Sequence, residues 1–375
     1  MNPFRYGGVV TGDYFYNRTH DIQHIKDHLR SGHHLILYAP RRYGKTSLMV
    51  RVLKELEKEN YNTVYLDFFN VFSLEKFLEL YSAKFLSQKI PTLEGVLKRF
   101  KEVVKGITPS VTLDERGKPQ FQLSFNQTVP LEKTFQGVVD LPEKGFKNKR
   151  WIVVFDEFQE INHLNGDNFE KQLRACIQFH KNVSYVFMGS KSHLLMNMFR
   201  DPSRAFYNIG KFLQVDKIPE EETVRHLTTR FHQSGIQLTP EVAGYLLQVA
   251  DNIPYYCQFI ASEVWQRAIT DRTVITRSDV DFAVDRVLAE QGDFYLELFD
   301  RLSTYQKKLL IALTQSGDRV FSKDYMLRHG LSTTSSTQRA LERLMEMGIV
   351  ERSSGTSYPF SDPFFKRYIA LRFNA

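Results

Sequence analysis

The sequence predicts an α/β fold: a parallel sheet layered between helices, then a helical stretch, then a C-terminal winged helix-turn-helix. Three observations predict it. Apolar, β-branched runs alternate with helical periodicity between residues 34 and 215. Two of those runs end abruptly in charged and hydroxyl residues, as strands of a parallel sheet do where they deliver side chains to one edge. From residue 300 the pattern changes to three short helices followed by strand, turn and strand.

The first such run is Leu35-Ile36-Leu37-Tyr38, followed by Ala39-Pro40-Arg41-Arg42-Tyr43-Gly44-Lys45-Thr46-Ser47. Strand, tight loop and a Gly-Lys-Thr that opens a helix make the layout of a phosphate-binding P-loop. Successive loop N–H groups wrap an anion, and the helix N-terminus adds partial positive charge. Lys45 is expected to reach the β- and γ-phosphates and Thr46 to ligate Mg²⁺. The first glycine of the pattern is replaced by Ala39. The helix that follows carries Leu48, Val52, Leu53 and Leu56 at three- and four-residue spacing.

The second run is Trp151-Ile152-Val153-Val154-Phe155, ending in Asp156-Glu157. Asp156 takes the magnesium-side position of P-loop ATPases, and Glu157 is placed to polarise an attacking water. Alone the pattern is weak. Following a P-loop, with helix and strand material between, it is strong.

Other elements fill in the sheet. A helix is expected over Asp21 to Leu29, a strand from Thr63 to Phe69, a helix from Leu74 to Leu86 and a helix from Asn168 to His180. Tyr185 to Ser190 and Phe212 to Val215 read as further strands. Residues 107–130 break the pattern: two alternating segments flank the turn-like Asp114-Glu115-Arg116-Gly117-Lys118-Pro119 and read as an inserted β-hairpin. It either contacts a partner or caps the sheet edge. Residues 220–290 read as helical, with boundary cues at Thr239-Pro240-Glu241 and Thr276-Arg277-Ser278-Asp279.

The chain has 375 residues, 42% of them hydrophobic and 25% charged, enough for two or three domains. A net charge of +7 permits nucleic-acid contact without demanding it. Two cysteines without ligand-like neighbours argue against a disulfide framework or a zinc cluster. The N-terminus lacks the apolar core of a signal peptide, and no stretch approaches a membrane span, so a cytoplasmic location is expected.

In the tail, helices over Thr304–Thr314, Ser322–Arg328 and Thr334–Met347 precede Ile349 to Tyr358, which reads as a two-stranded wing. Arg339 and Arg343 share a face of the third helix, and Arg352 sits on the wing. These side chains suit phosphate and base-edge contacts with DNA, while Glu342, Glu346 and Glu351 suit a packing or assembly role.

Together these residues resemble the archaeal-type ATPases of the STAND branch of P-loop NTPases, near AAA+ proteins. The resemblance covers nearly the whole chain. It rests on Asn17-Arg18, the Arg41-Arg42-Tyr43-Gly44-Lys45-Thr46-Ser47 loop, Phe155-Asp156-Glu157, Gly189-Ser190, Ala205-Phe206-Tyr207, Asn252-Ile253-Pro254-Tyr255-Tyr256 and the winged helix. It implies a P-loop NTPase three-layer sandwich that binds ATP with Mg²⁺ and hydrolyses it slowly, as a switch, in a homo-oligomer or with a protein partner. By resemblance, residues Pro40 to Ser47, Arg18 and Pro254 hold the nucleotide, with Pro254 against the adenine although Asn252 replaces the usual glycine. Ser190 looks like the sensor residue; the alternative is a serine that caps a helix. Arg204 looks like the arginine that answers the γ-phosphate, within the chain or across a subunit boundary; the alternative is a surface arginine paired with Asp201.

The expected division is an ATPase core over residues 1–218 with its hairpin insertion, a helical lid over 219–298 and a winged helix domain over 299–375. A competing reading is an ATP-dependent DNA-binding regulator or initiator. A third, a scaffold that binds nucleotide without hydrolysing it, is opposed by the intact Glu157.

Overall fold

Seven strands and sixteen helices appear in the computed structural model, which describes residues 2–87, 93–113, 119–126, 128–145, 150–164, 166–271, 274–353 and 356–373. The chain divides into two compact units. One is Arg18–Ala39 with Lys45–Val215; the other is Met1–Asn17, Pro40–Gly44 and Asp216–Ala375.

The first unit holds β1 (Leu35–Tyr38), β2 (Asn62–Asp67), β5 (Trp151–Asp156), β6 (Val183–Gly189) and β7 (Lys211–Gln214) in a sheet of order β2-β5-β6-β1-β7. Every pairing is parallel. β5 and β6 are buried along their whole length, as their unbroken apolar composition requires. The helices of this unit are α1 (Thr19–Arg30), α2 (Lys45–Lys58), α3 (Leu74–Leu86), α4 (Leu93–Val103), α5 (Leu131–Val139), α6 (Gly166–Ile177) and α7 (Ser192–Arg200). The core is an aromatic mesh. Phe158 meets Phe187 at 4.8 Å between ring centroids, and Phe68, Phe77, Phe155 and Phe169 pack edge-on or stacked around them. Much of the high phenylalanine content is therefore core.

Two boundaries differ from the sequence reading for identifiable reasons. β2 stops at Asp67 because the Asp67 carboxylate accepts the Phe69 N–H at 2.9 Å and turns Phe68–Asn70 into a 3₁₀ turn. β6 starts before Tyr185 because the polar Ser184 is satisfied within the strand, its hydroxyl donating to the Leu29 carbonyl at 3.3 Å. β3 (Ile107–Leu113) and β4 (Pro119–Phe125) pair antiparallel, and residues 114–118 of the turn lie outside the described residues.

The second unit is almost entirely helical: α8 (Glu220–Gln233), α9 (Pro240–Val249), α10 (Pro254–Asp271), α11 (Arg277–Glu290), α12 (Gly292–Asp300), α13 (Thr304–Gln315), α14 (Lys323–Arg328), α15 (Thr334–Glu346) and α16 (Pro363–Phe373). The starts are chemically marked. Thr239 accepts the Val242 N–H, Ser303 and Gln306 form a capping box, and Thr333 accepts the Ser336 N–H. One apolar core runs from Leu227 to Ile369 and includes Phe4. α16 was not evident in the sequence. It begins where Asp362 accepts the Phe364 and Phe365 N–H groups, with Pro363 at the first helical position.

The wing is shorter than expected. Among the described residues it has a single bridge, Val350 to Phe360, with Glu351 N–H donating to the Pro359 carbonyl at 2.9 Å and Ser353 N–H to the Ser357 carbonyl at 3.0 Å. Pro359 has no N–H to return the bond, so one rung of the ladder is missing there. Residues 354 and 355 lie outside the described residues. Burial pushes the Glu351 carboxyl up to about 7, against the pull of the Arg42, Lys217 and Arg41 charges. Folding therefore takes up a proton at this carboxyl between roughly pH 4.5 and 7. The stability it contributes is complete below that window, is lost as pH rises through it, and is level above. Glu351→Gln should flatten this dependence and gain on the order of 2 kcal/mol over wild type at pH 8. Thermal melts of both proteins across pH 5 to 8 check this; parallel curves would show that Glu351 titrates normally.

Candidate nucleotide-binding site

In the first unit, helix α2 opens at Lys45, and the strand order sets β1 beside β6, itself beside β5. Lys45 is only 6% exposed. Its Nζ lies 3.6 Å from Glu157 Oε1 and 4.0 Å from Asp156 Oδ1. The Thr46 hydroxyl donates to Asp156 Oδ2 at 3.1 Å. Asp156 is buried at the end of β5, its other oxygen accepting the Glu157 N–H at 2.9 Å. Four of the expected site residues, Lys45, Thr46, Asp156 and Glu157, are thus brought together.

Glu157 sits in the left-handed backbone region with φ 49°, unusual for a glutamate. Its Oε2 accepts from Gln159 Nε2 at 2.6 Å, Ser190 Oγ at 2.8 Å and Ser190 N at 3.2 Å. Burial alone would raise this carboxyl. The Lys45 charge and the donors from Gln159 and Ser190 outweigh it and hold the carboxyl below its usual range. Ser190 therefore meets Glu157 directly, from the end of β6.

Two residues of this cluster were missed in the sequence. The Tyr65 hydroxyl, from β2, donates to Asp156 Oδ2. Gln159 is buried, and a Cβ at Gly189 would come within 2.2 Å of its Oε1, so any larger residue there would push the end of this side chain aside. The spacing of Gln159 two residues after Glu157 was the available signal. Tyr65 gave none beyond its place in a strand that pairs with β5.

Two other expected residues stand apart from this cluster in their contacts. Arg204 pairs in a two-pronged contact with the buried Glu170, with Nε to Oε2 at 3.1 Å. The Asp201 carboxylate, the partner considered for Arg204 in the sequence, accepts from the Ser203 hydroxyl at 2.8 Å. Arg18 is buried with φ 66°, and its guanidinium pairs with Asp21 at 2.9 Å.

The loop segment Pro40–Gly44 belongs to the second unit. Arg42 and Gly44 both have positive φ, 71° and 83°. The Arg42 guanidinium is 4.8 Å from the Tyr256 ring centroid and 5.0 Å from that of Tyr255. It also reaches Asp362 at 3.3 Å, and the Arg42 carbonyl accepts the Tyr255 N–H at 3.3 Å. Arg41 is exposed and Tyr43 half-buried against the apolar core. Pro254 begins α10. Asn252, standing where the family pattern has glycine, has φ 47°. Asparagine tolerates that conformation, and its side chain donates to the Ile218 carbonyl at 3.0 Å, so the replacement keeps the bend.

Among the described residues no helix is long and apolar enough to cross a membrane, and both cysteines are free and buried. The family model described as "ATPase domain predominantly from Archaea" matches residues 15–255, and one described as "Probable winged helix domain" matches residues 293–371. No curated protein matches. Among solved structures, the chain is similar to the Walker-type ATPase of Pyrococcus abyssi. They share 17% identity over 98% of this chain and 99% of that one, with a TM-score of 0.68. It is also similar to the Aeropyrum pernix ORC2 protein in its ADPNP–ADP complexes, at 14% identity, 99% and 100% coverage and TM-score 0.56. The Aeropyrum pernix ORC1 protein in complex with DNA follows at 14% identity, 97% and 96% coverage and TM-score 0.51. At these identities the likeness is one of fold. The parallel sheet, the convergence of Lys45, Thr46, Asp156 and Glu157, and a family match over most of the chain lead to one conclusion: the chain belongs to the ATPase domain family found predominantly in Archaea.

Proposed function

We propose that the protein is a slow, Mg²⁺-dependent ATPase of the STAND, AAA+-related kind, whose nucleotide state sets the arrangement of a core (residues 1–218), a helical lid (219–298) and a winged helix domain (299–375). The observation that carries this reading is the buried quartet of Lys45, Thr46, Asp156 and Glu157. The donor set fits Mg²⁺: a hydroxyl and a carboxylate, both hard oxygen donors, from Thr46 and Asp156. Mg²⁺ when bound would supply charge neutralisation at the β- and γ-phosphates. Lys45 carries the cation for the same phosphates, and its buried position strengthens that attraction. Tyr65 fixes the Asp156 carboxylate.

Glu157 is the general base. Its carboxyl is held ionised, so it can accept a proton from water at neutral pH. In this structure Oε2 is already engaged by Gln159 and Ser190, while Oε1 faces Lys45. Ser190 therefore orients the base, and slow turnover follows from a carboxylate that must exchange these partners for water. Arg204 answers the γ-phosphate on release from Glu170, within the chain or in a neighbouring copy. Arg18, Pro254 and loop residues Pro40, Arg41, Arg42, Tyr43, Gly44 and Ser47 complete the nucleotide's surroundings. The partner of the switch is a second copy of the chain or another cytoplasmic protein.

Two observations favour a second reading. Arg339 and Arg343 are both exposed on α15, and a structural neighbour is an ORC1 protein in complex with DNA. On this reading the protein loads onto duplex DNA under ATP control. Arg343 is paired with Glu346 at 2.8 Å, which offsets part of its charge.

Lys45→Ala should abolish ATP binding in a calorimetric titration; wild-type affinity would remove the P-loop assignment. Glu157→Gln keeps the shape and the Ser190 and Gln159 contacts but cannot take a proton. It should bind ATP normally and turn over ~10²–10⁴-fold more slowly. Equal turnover would take the base assignment away from Glu157. If α15 contacts duplex, Arg339→Ala with Arg343→Ala should weaken DNA retention and reduce the salt slope by roughly one unit for each phosphate no longer neutralised. Gel-shift titrations at two salt concentrations measure both. No retention by wild type at low salt would eliminate the DNA reading.

A further inference from the structure

Helix α1 carries histidines at positions 20, 24 and 28, one per turn and therefore on one face, and two more follow at 33 and 34. The nucleotide chemistry uses none of them. His24 and His28 bring their Nε2 atoms to 3.1 Å from each other, and Lys211 of β7 brings its Nζ to 3.0 Å from His28 Nε2. An imidazole nitrogen has one in-plane position, either a proton or a lone pair. If His28 Nε2 accepts from the Lys211 ammonium, its lone pair is spent and cannot also accept from His24. Hydrogen bonding accounts for one of the two approaches and leaves the other unexplained.

The histidine pair also has the spacing of two ligands to one metal ion. Metal–nitrogen bonds of ~2.0–2.1 Å at angles between octahedral and tetrahedral place two ligand nitrogens about 2.9–3.4 Å apart. The observed 3.1 Å lies inside that range. The i, i+4 spacing is the one by which a helix presents two histidines to a single ion. The His20 ring lies 5.9 Å from that of His24, and the His33 ring 6.0 Å from that of His28, so further imidazoles flank the pair. The neighbouring carboxylates do not face His24 or His28: Asp21 pairs with Arg18 and lies 4.0 Å from His20 Nδ1, and Asp27 pairs with Arg30. An all-imidazole donor set selects Zn²⁺, Cu²⁺ or Ni²⁺ over Mg²⁺ or Ca²⁺.

We propose that His24 and His28 form a divalent transition-metal site on α1, opposed by the Lys211 ammonium and completed by water. Among the described residues no group of three or more His, Cys, Asp or Glu side chains could hold a metal, so the site is a two-ligand, exchangeable one. The ion ties two turns of the helix that packs on α2, and it binds by displacing Lys211 from His28.

The test is a calorimetric titration of the full-length protein with ZnCl₂ in buffer containing excess Mg²⁺, repeated on His24→Gln, His28→Gln and Lys211→Met. Wild type should show one Zn²⁺ equivalent that Mg²⁺ does not displace. Each histidine variant should lose it or weaken it by roughly tenfold or more, since even loss of a supporting residue costs that much. Lys211→Met should bind more tightly, because the competing ammonium is gone. Far-ultraviolet circular dichroism and melting temperature confirm that each variant is folded. Unchanged Zn²⁺ binding in both histidine variants would overturn the site. So would weaker binding in Lys211→Met, because that would make Lys211 a support rather than a competitor.

Discussion

Lys45 places an ammonium beside the carboxylates of Asp156 and Glu157, all three largely withdrawn from water. Isolated, any one of them would be costly to bury. Together they neutralise only in part, two negative charges against one positive. The surplus is distributed onto neutral donors: the Tyr65, Thr46, Gln159 and Ser190 side chains and the backbone N–H groups of Glu157 and Ser190. The cluster persists because the parallel strand ends beneath it are rigid and dry. β5 and β6 have no exposed residue, and an aromatic mesh locks their register. A charge cluster that is under-compensated on the positive side is a ready receiver for a divalent cation.

Backbone strain is present in both units. Arg18, Arg42, Glu157 and Asn252 all lie in the left-handed region, which non-glycine residues occupy at a cost. Each is fixed by a specific partner: Arg18 by Asp21, Arg42 by Tyr255, Tyr256 and Asp362, Glu157 by Gln159 and Ser190, Asn252 by the Ile218 carbonyl. The conformation is maintained by side-chain bonds, so changes in those bonds have a backbone conformation to release.

The sheet and the quartet were legible because strand, loop and helix at the P-loop and strand-plus-acids at β5 are local patterns. Their chemistry sits in consecutive residues. What was not legible is long-range. The pairing of Arg204 with Glu170 depends on α6 and the 201–208 segment meeting in space. The hold of Gln159 on Glu157 depends on a slot opened by Gly189 in another strand. Helices α4, α5, α7, α12 and α16 are not read from the sequence because these segments, 9 to 11 residues long, are too short to give a clear period. The wing is less regular than the two strands expected over Ile349 to Tyr358: among the described residues it has one bridge, with Pro359 removing a donor beside it.

The strand order has a consequence for biosynthesis. β1 leaves the ribosome early, yet its neighbours are β6 and β7, with Leu35 set against Val186 on one side and Lys211 on the other. Until those later segments have been made, an apolar strand and the loop behind it have no sheet to join. The nascent chain therefore passes through a long interval in which Leu35-Ile36-Leu37-Tyr38 is an unpaired, sticky edge. The chain's ability to engage nucleotide arises late and all at once, when β6 closes the gap between β1 and β5.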